Sequence, residues 1–284
     1  MSHGFNLSTS PPETVQPRPV LVDKASIQGT RVATFIIVAL FSVSAALSAT
    51  AAFRMVLQAG DVTEPESAVT TLALNFAKSG KLYSPLDRPP YTPVAYGPVL
   101  YLVLAGIARS FHLDFRGLLL AGRVLSLTCF LLLAATTYFA ALRCGHKRWI
   151  AVIPAIFVIT GYSFARWNVT VRPDMAAVLL SVLCIALLLI PTRGSVVGAA
   201  VCVAAAVLLK LSYVAAPVAV LIWLIWSRRY WYAVLFCATA GTIVVAVAAV
   251  FLLRGDPILS QVLIIRNMAL SREALIQLAL EQWH

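Results

Sequence analysis

"YGPVLYLVLAGIARSF", Tyr96 to Phe111, is the stretch whose reading decides the fold. It is apolar, holds Pro98 and Gly106, and falls short of the ~20 residues that a membrane-crossing helix needs. If it crosses, every connection after it changes sides. If it lies along the membrane surface, "RCGHKRW" (143–149), "TRG" (192–194) and "SRRY" (227–230) all fall on one side, together with the N-terminal tail. These connections carry Arg143, Lys147, Arg148, Arg193, Arg228 and Arg229 and no Asp or Glu, so the positive-inside rule makes them cytoplasmic. The surface reading is therefore the one the charges favour. A second ambiguous stretch, 195–227, is too long for one untilted helix at ~1.5 Å per residue and is interrupted by Lys210. It reads as a hairpin of two short helices.

Working outward, apolar runs fill most of the 284 residues. With 61% hydrophobic residues, 12% charged residues and a mean hydropathy of +0.89, the chain lies far from the roughly 25% charge of soluble domains. The expected fold is all-α, a polytopic bundle with spans at 32–56, 117–142, 149–165, 174–191, 195–209, 212–227 and 231–253. The Pro- and Ser/Thr-rich residues 1–30 read as a disordered cytoplasmic tail. Residues 31–284 form the membrane domain, and 57–116 a long extracytoplasmic loop lying on the membrane. Within that loop Val69, Leu72, Ala73 and Phe76 recur at helical spacing. The expected location is a multi-pass protein of the plasma membrane.

The net charge of +11 does not point to nucleic acid, because the cations fall between apolar runs instead of along a basic stripe. Cys129, Cys184, Cys202 and Cys237 lie inside apolar runs and Cys144 outside them, with no metal-ligand spacing among cysteines or histidines.

On this topology every acidic residue after the tail is on the outer side, including Glu64, Glu66, Asp174 and Asp256. Thr63-x-x-Glu66 fits a capping box, and the same carboxylates suit a catalytic role. Arg54, Arg166, Arg172, Lys210 and Arg254 also stand at outer helix ends, where positive-inside does not place cations. Cations beside carboxylates suit a site that holds a lipid-borne phosphate. Arg123, inside span 117–142, is costly in lipid and should face protein or water.

The order of "EPESAVTTLALNFAKSGKLYSP", "PVAYGPVLYLVLAGIARSF" with "GRVLSL", "WNVTVRPDMAAVLLSVL", "LLKLSYVAAPVAVLIWLI" and "DPILSQVLIIRNMALS" resembles the GT-C superfamily of membrane glycosyltransferases. The nearest branches are the RgtA/B/C/D-like enzymes, protein O-mannosyltransferases and aminoarabinose transferases. Each pattern is loose, and their order over 61–271 carries the resemblance. It implies an acidic pair opening the first outer loop, with Glu66 as its second member. Pro65 stands at the first position, with Glu64 next to it. Asp174 resembles the acid of the second outer loop and Lys210 the lysine closing the fifth span.

The resemblance implies transfer of a sugar from a polyprenyl-phosphate donor to a hydroxyl on a lipid, glycan or protein acceptor outside the membrane. Glu66, Glu64 and Asp174 would serve catalysis, and Arg172, Lys210 and Arg254 would hold the donor phosphate. Carboxylates near phosphate are compatible with a divalent cation, although no spacing demands one. Such enzymes continue through further spans, so the expectation is that this chain is the N-terminal part of one. Two alternatives remain open on the residues: a transporter or flippase, and a non-catalytic membrane subunit.

Overall fold

The apolar runs fold as α-helices, and the computed structural model describes residues 24–58, 60, 62–63, 65–83, 94, 96–161 and 169–257. Contacts divide the chain into residues 1–42 and 43–284; the packing below belongs to the second unit. Among the described residues three helices are long and apolar enough to cross a membrane: α1 (Lys24–Leu57, through its segment Ala39–Leu57), α4 (Phe115–Arg143) and α9 (Tyr230–Leu253). They match the first, second and last expected spans. Helix α1 begins inside the stretch read as a disordered tail to residue 30.

The other four expected spans are shorter helices: α5 (Arg148–Thr160), α6 (Asp174–Leu188), α7 (Arg193–Leu209) and α8 (Ala215–Trp226), of 13, 15, 17 and 12 residues. Local chemistry sets the ends of α6 and α7, the first short of the expected 174–191 and the second at the expected 209. Pro191 stops α6, and Thr192 and Ser195 form a reciprocal capping box that starts α7: Thr192 Oγ1 accepts from Ser195 N at 3.2 Å, and Ser195 Oγ accepts from Thr192 N at 2.7 Å. Lys210 ends α7 in extended backbone, so 195–227 does fold as two helices.

The deciding stretch forms α3 (Pro98–Phe111), only 14 residues long. Pro98 opens it, where a missing N–H costs nothing. It packs on α2 (Pro65–Ser79), whose buried face is Glu66, Val69, Thr70, Ala73 and Phe76. The 69–76 stripe expected from the spacing thus meets protein. Arg109 fastens the two helices by donating Nε to the Ala77 carbonyl at 2.6 Å, filling one of the carbonyls that a helix end leaves open.

Helices α4 and α6 run parallel. At one end Ser126 Oγ donates to Thr170 O at 2.6 Å, and at the other Arg143 Nη1 donates to Ala186 O at 3.3 Å. Glycine makes two close approaches possible. A Cβ on Gly122 would lie 2.7 Å from a Val171 methyl, and one on Gly97 1.9 Å from the Leu208 carbonyl oxygen. Gly97 N–H also donates to Leu209 O at 2.9 Å, which pins Tyr96 beside the end of α7.

One core, around Tyr101 and Leu104, joins α2 and α3 to the starts of α4 and α6 and the ends of α7 and α9. Another joins α6 to α9 through Cys184, Ala199, Ala200, Val203, Leu224 and Phe236. In lipid, helices gain little from burying apolar surface against each other, so small side chains that permit close van der Waals contact carry the packing. The alanine-rich face of α7 suits that need.

Candidate functional site

Glu66 occupies the first turn of α2 and is completely buried. Four donors hold it. Arg123 gives Nη2 to Oε2 at 2.9 Å and Nε to Oε1 at 3.3 Å, Val62 N–H reaches Oε2 at 2.7 Å, and Val171 N–H reaches Oε1 at 2.8 Å. The capping box read at Thr63-x-x-Glu66 is replaced by a variant. The carboxylate reaches back to Val62 rather than Thr63, and the buried Thr63 hydroxyl has no partner among the described residues. Arg123, also buried, donates to the carbonyls of Met55, Gln58 and Gly60 at 3.3, 2.5 and 2.6 Å. The end of α1, the start of α2, the N-terminal half of α4 and the approach to α6 therefore converge on one ion pair. Arg123 faces protein, as its cost in lipid requires.

Three residues beyond Val171, Asp174 opens α6 with both oxygens engaged. Arg172 Nε donates to Oδ2 at 2.9 Å and Lys210 Nζ to Oδ1 at 2.7 Å. These side chains remain partly open to solvent, at 15% for Asp174 and 29% for Lys210. The ring of Tyr96 lies beneath both cations, 6.0 Å from the Arg172 guanidinium and 5.9 Å from the Lys210 ammonium, within the range of a cation–π contact. Tyr213 approaches from the α7–α8 turn, its hydroxyl 3.5 Å from the Asp174 carbonyl. Burial, reinforced by the Asp174 charge, pushes the Tyr213 phenol up to about 12. Burial also raises Tyr96, against the pull of Arg172. Both phenols stay protonated and can donate.

Arg254, after α9, is elsewhere: its Nη2 donates to Gly80 O at 2.6 Å, tying the end of α2 to the end of α9. Nearby Asp256 is buried and its Oδ2 has no partner among the described residues. Burial raises the Asp256 carboxyl, while Arg254 and Lys81 pull it back.

The fold thus joins Arg172, Asp174 and Lys210, links Glu66 to them through Val171, and sets Arg254 with a different turn. Glu64 lies outside the described residues, as do Arg166 and the 162–168 segment. Sequence reasoning missed Tyr96 and Tyr213 and did not pair Arg123 with Glu66. The signal for Tyr96 was local, an aromatic just before a glycine and a helix-opening proline; nothing local pairs residues 57 positions apart. Among the described residues no three His, Cys, Asp or Glu side chains converge as a metal site would require. Compared with known proteins, the chain matches no family model, no curated protein and no solved structure.

Proposed function

We propose that this chain belongs to a membrane glycosyltransferase that moves a sugar from a polyprenyl-phosphate donor to an acceptor hydroxyl on the outer face. The observation that carries the reading is Asp174 held by Arg172 and Lys210 over Tyr96, at the opposite helix ends from the Arg-rich connections. Those connections support a seven-span arrangement in which α5 to α8 also cross and α2 and α3 lie outside. Arg143, Lys147, Arg148, Arg193, Arg228 and Arg229 are all exposed, and alternation along the chain sends them to one end.

The chemistry follows from the charges. Lys210 carries three donors and gives one to Asp174. A donor phosphate arriving on Lys210 and Arg172 competes with Asp174 for them and frees Oδ1. That carboxylate oxygen then accepts the proton of the acceptor hydroxyl, a weak nucleophile at neutral pH. The acceptor oxygen bonds to the anomeric carbon, the bond from that carbon to the phosphate oxygen breaks, and the electron pair leaves with the phosphate. Lys210 and Arg172 meet that charge as it grows. Glu66 is a positioning residue here, because its hydrogen bond from Val171 N–H fixes the backbone leading to Arg172. Glu64 remains a second candidate base, and Arg254 a residue that shapes the neighbouring turn.

The transporter alternative drew on Arg123 as a charge inside a span, and Arg123 is committed to Glu66 and to backbone carbonyls. The test is mass spectrometry of lipid-linked and surface glycans in cells with and without the gene, complemented by wild type or Asp174→Asn at matched protein level. Loss of one sugar modification, restored by wild type alone, is expected. Unchanged glycans and lipid-linked pools on deletion would overturn the reading.

A further inference from the structure

At the other end of the bundle, the C-terminal halves of α4 and α6 leave a groove of about 470 Å³ between them. That is within the roughly 300–1,000 Å³ of ligand-binding pockets. Phe139, Ala140, Leu183 and Leu187 make it apolar, Thr136 adds a hydroxyl, and Arg143 stands in its wall. Arg143 is in the last turn of α4, exposed, and spends one donor on Ala186 O. No carboxylate pairs with it among the described residues. The adjoining turn adds exposed Lys147 and Arg148 and exposed Trp149, an aromatic of the kind that seats at a membrane interface.

A greasy slot with a planar cation at its rim matches an amphiphile with an anionic head. We propose that this groove binds an anionic phospholipid, its phosphate on the Arg143 guanidinium and an acyl chain along Phe139, Leu183 and Leu187. Two features select lipid over a water-soluble phosphate. The groove opens on a face where α4 also exposes Leu131, Leu132 and Phe139, as a surface bathed in hydrocarbon does. Its walls also offer a phosphate little beyond Arg143. The guanidinium fork suits a phosphate geometrically. This site is separate from the transfer chemistry proposed above and stands or falls without it.

Native mass spectrometry of the purified full chain in a non-ionic detergent tests the site. The probes are phosphatidylglycerol, phosphatidylcholine with the same acyl chains, and glycerol phosphate. Wild type should retain phosphatidylglycerol about tenfold better than phosphatidylcholine, and glycerol phosphate should not bind at comparable concentration. Arg143→Ala should reduce phosphatidylglycerol to the phosphatidylcholine level, whereas the pair Lys147→Ala and Arg148→Ala should leave most of the preference. Ala140→Phe, which fills the groove, should weaken both lipids; Leu187→Phe checks the same point where Ala140→Phe fails to fold.

Equal retention of the two phospholipids, or an unchanged preference in Arg143→Ala, would overturn the assignment. So would a preference carried by Lys147 and Arg148 alone, or glycerol phosphate binding as well as the lipid. Self-association through this face that excludes lipid would show a helix of a second copy as occupant, which also overturns it.

Discussion

Two carboxylates flank Val171, Glu66 through a hydrogen bond from its N–H and Asp174 three residues further along the chain, and they live in opposite conditions. Glu66 is sealed from water and gives every accessible lone pair to a donor, while Asp174 sits at a partly open rim, held by two side-chain cations that can turn elsewhere. A buried pair is costly to assemble and more costly to break, because the surviving charge has nowhere to go. A rim pair contributes little to stability, and its partners are available to a ligand. The difference teaches that acidity near a helix end carries no role by itself. Desolvation and the number of fixed donors separate a carboxylate that holds the fold from one that can exchange partners.

The strongest way to break the comparison is to remove Arg123. Arg123→Ala leaves Glu66 buried without a counter-charge and frees the carbonyls of Met55, Val56, Gln58 and Gly60, so unfolding in mixed micelles should show a loss of about 3–5 kcal/mol. Replacing both Arg123 and Glu66 with Met should recover much of that. A double variant no better than the single one would show that the carbonyl contacts, not the ion pair, dominate.

Gly122→Ala probes the same region through packing. Its new methyl would meet Val171 at 2.7 Å, and Val171 holds Glu66, so a loss of about 1–3 kcal/mol is expected. Val171→Ala in the same chain should relieve part of it, which a double-mutant cycle measures directly.

At the rim, Asp174→Asn should cost stability only about 1 kcal/mol or less, yet abolish the glycan product proposed above. A large stability loss with activity retained would reverse the roles assigned to the two carboxylates.

The smallest effect concerns Asp256. Burial holds its folded carboxyl above the ordinary 3.8, with Arg254 and Lys81 opposing. A raised folded value means that the native state binds the proton more tightly, so wild type loses stability as pH rises from near 3.8 through the folded value. Asp256→Asn has nothing to lose there. Its melting temperature should match or exceed wild type at neutral pH, and the advantage should vanish below that range; a constant offset at all pH values would contradict the assignment.

Much of this was legible along the chain. Hydropathy located α1, α4 and α9, the break at Lys210 was visible, and the apolar period over Val69 to Phe76 gave the buried face of α2. Helix length was less so. Pro191 and the capping box at Thr192 shorten α6 against the expected 174–191, whereas α7 ends at the Lys210 break as the apolar run suggests. At the site, Arg172 and Lys210 could be singled out as cations out of place, but the identity of their carboxylate could not.

By itself the sequence determined the helical class, its apolar surface and the sorting of arginine-rich turns from acidic ones, because these follow from period, hydropathy and local charge. Only the tertiary structure decided which acid is locked and which is partly open to solvent. That choice depends on four backbone segments meeting around Arg123, and on two glycines letting helices approach closely enough to bring Val171 and Tyr96 into place. Desolvation is a property of the assembled neighbourhood, so no window of residues contains it.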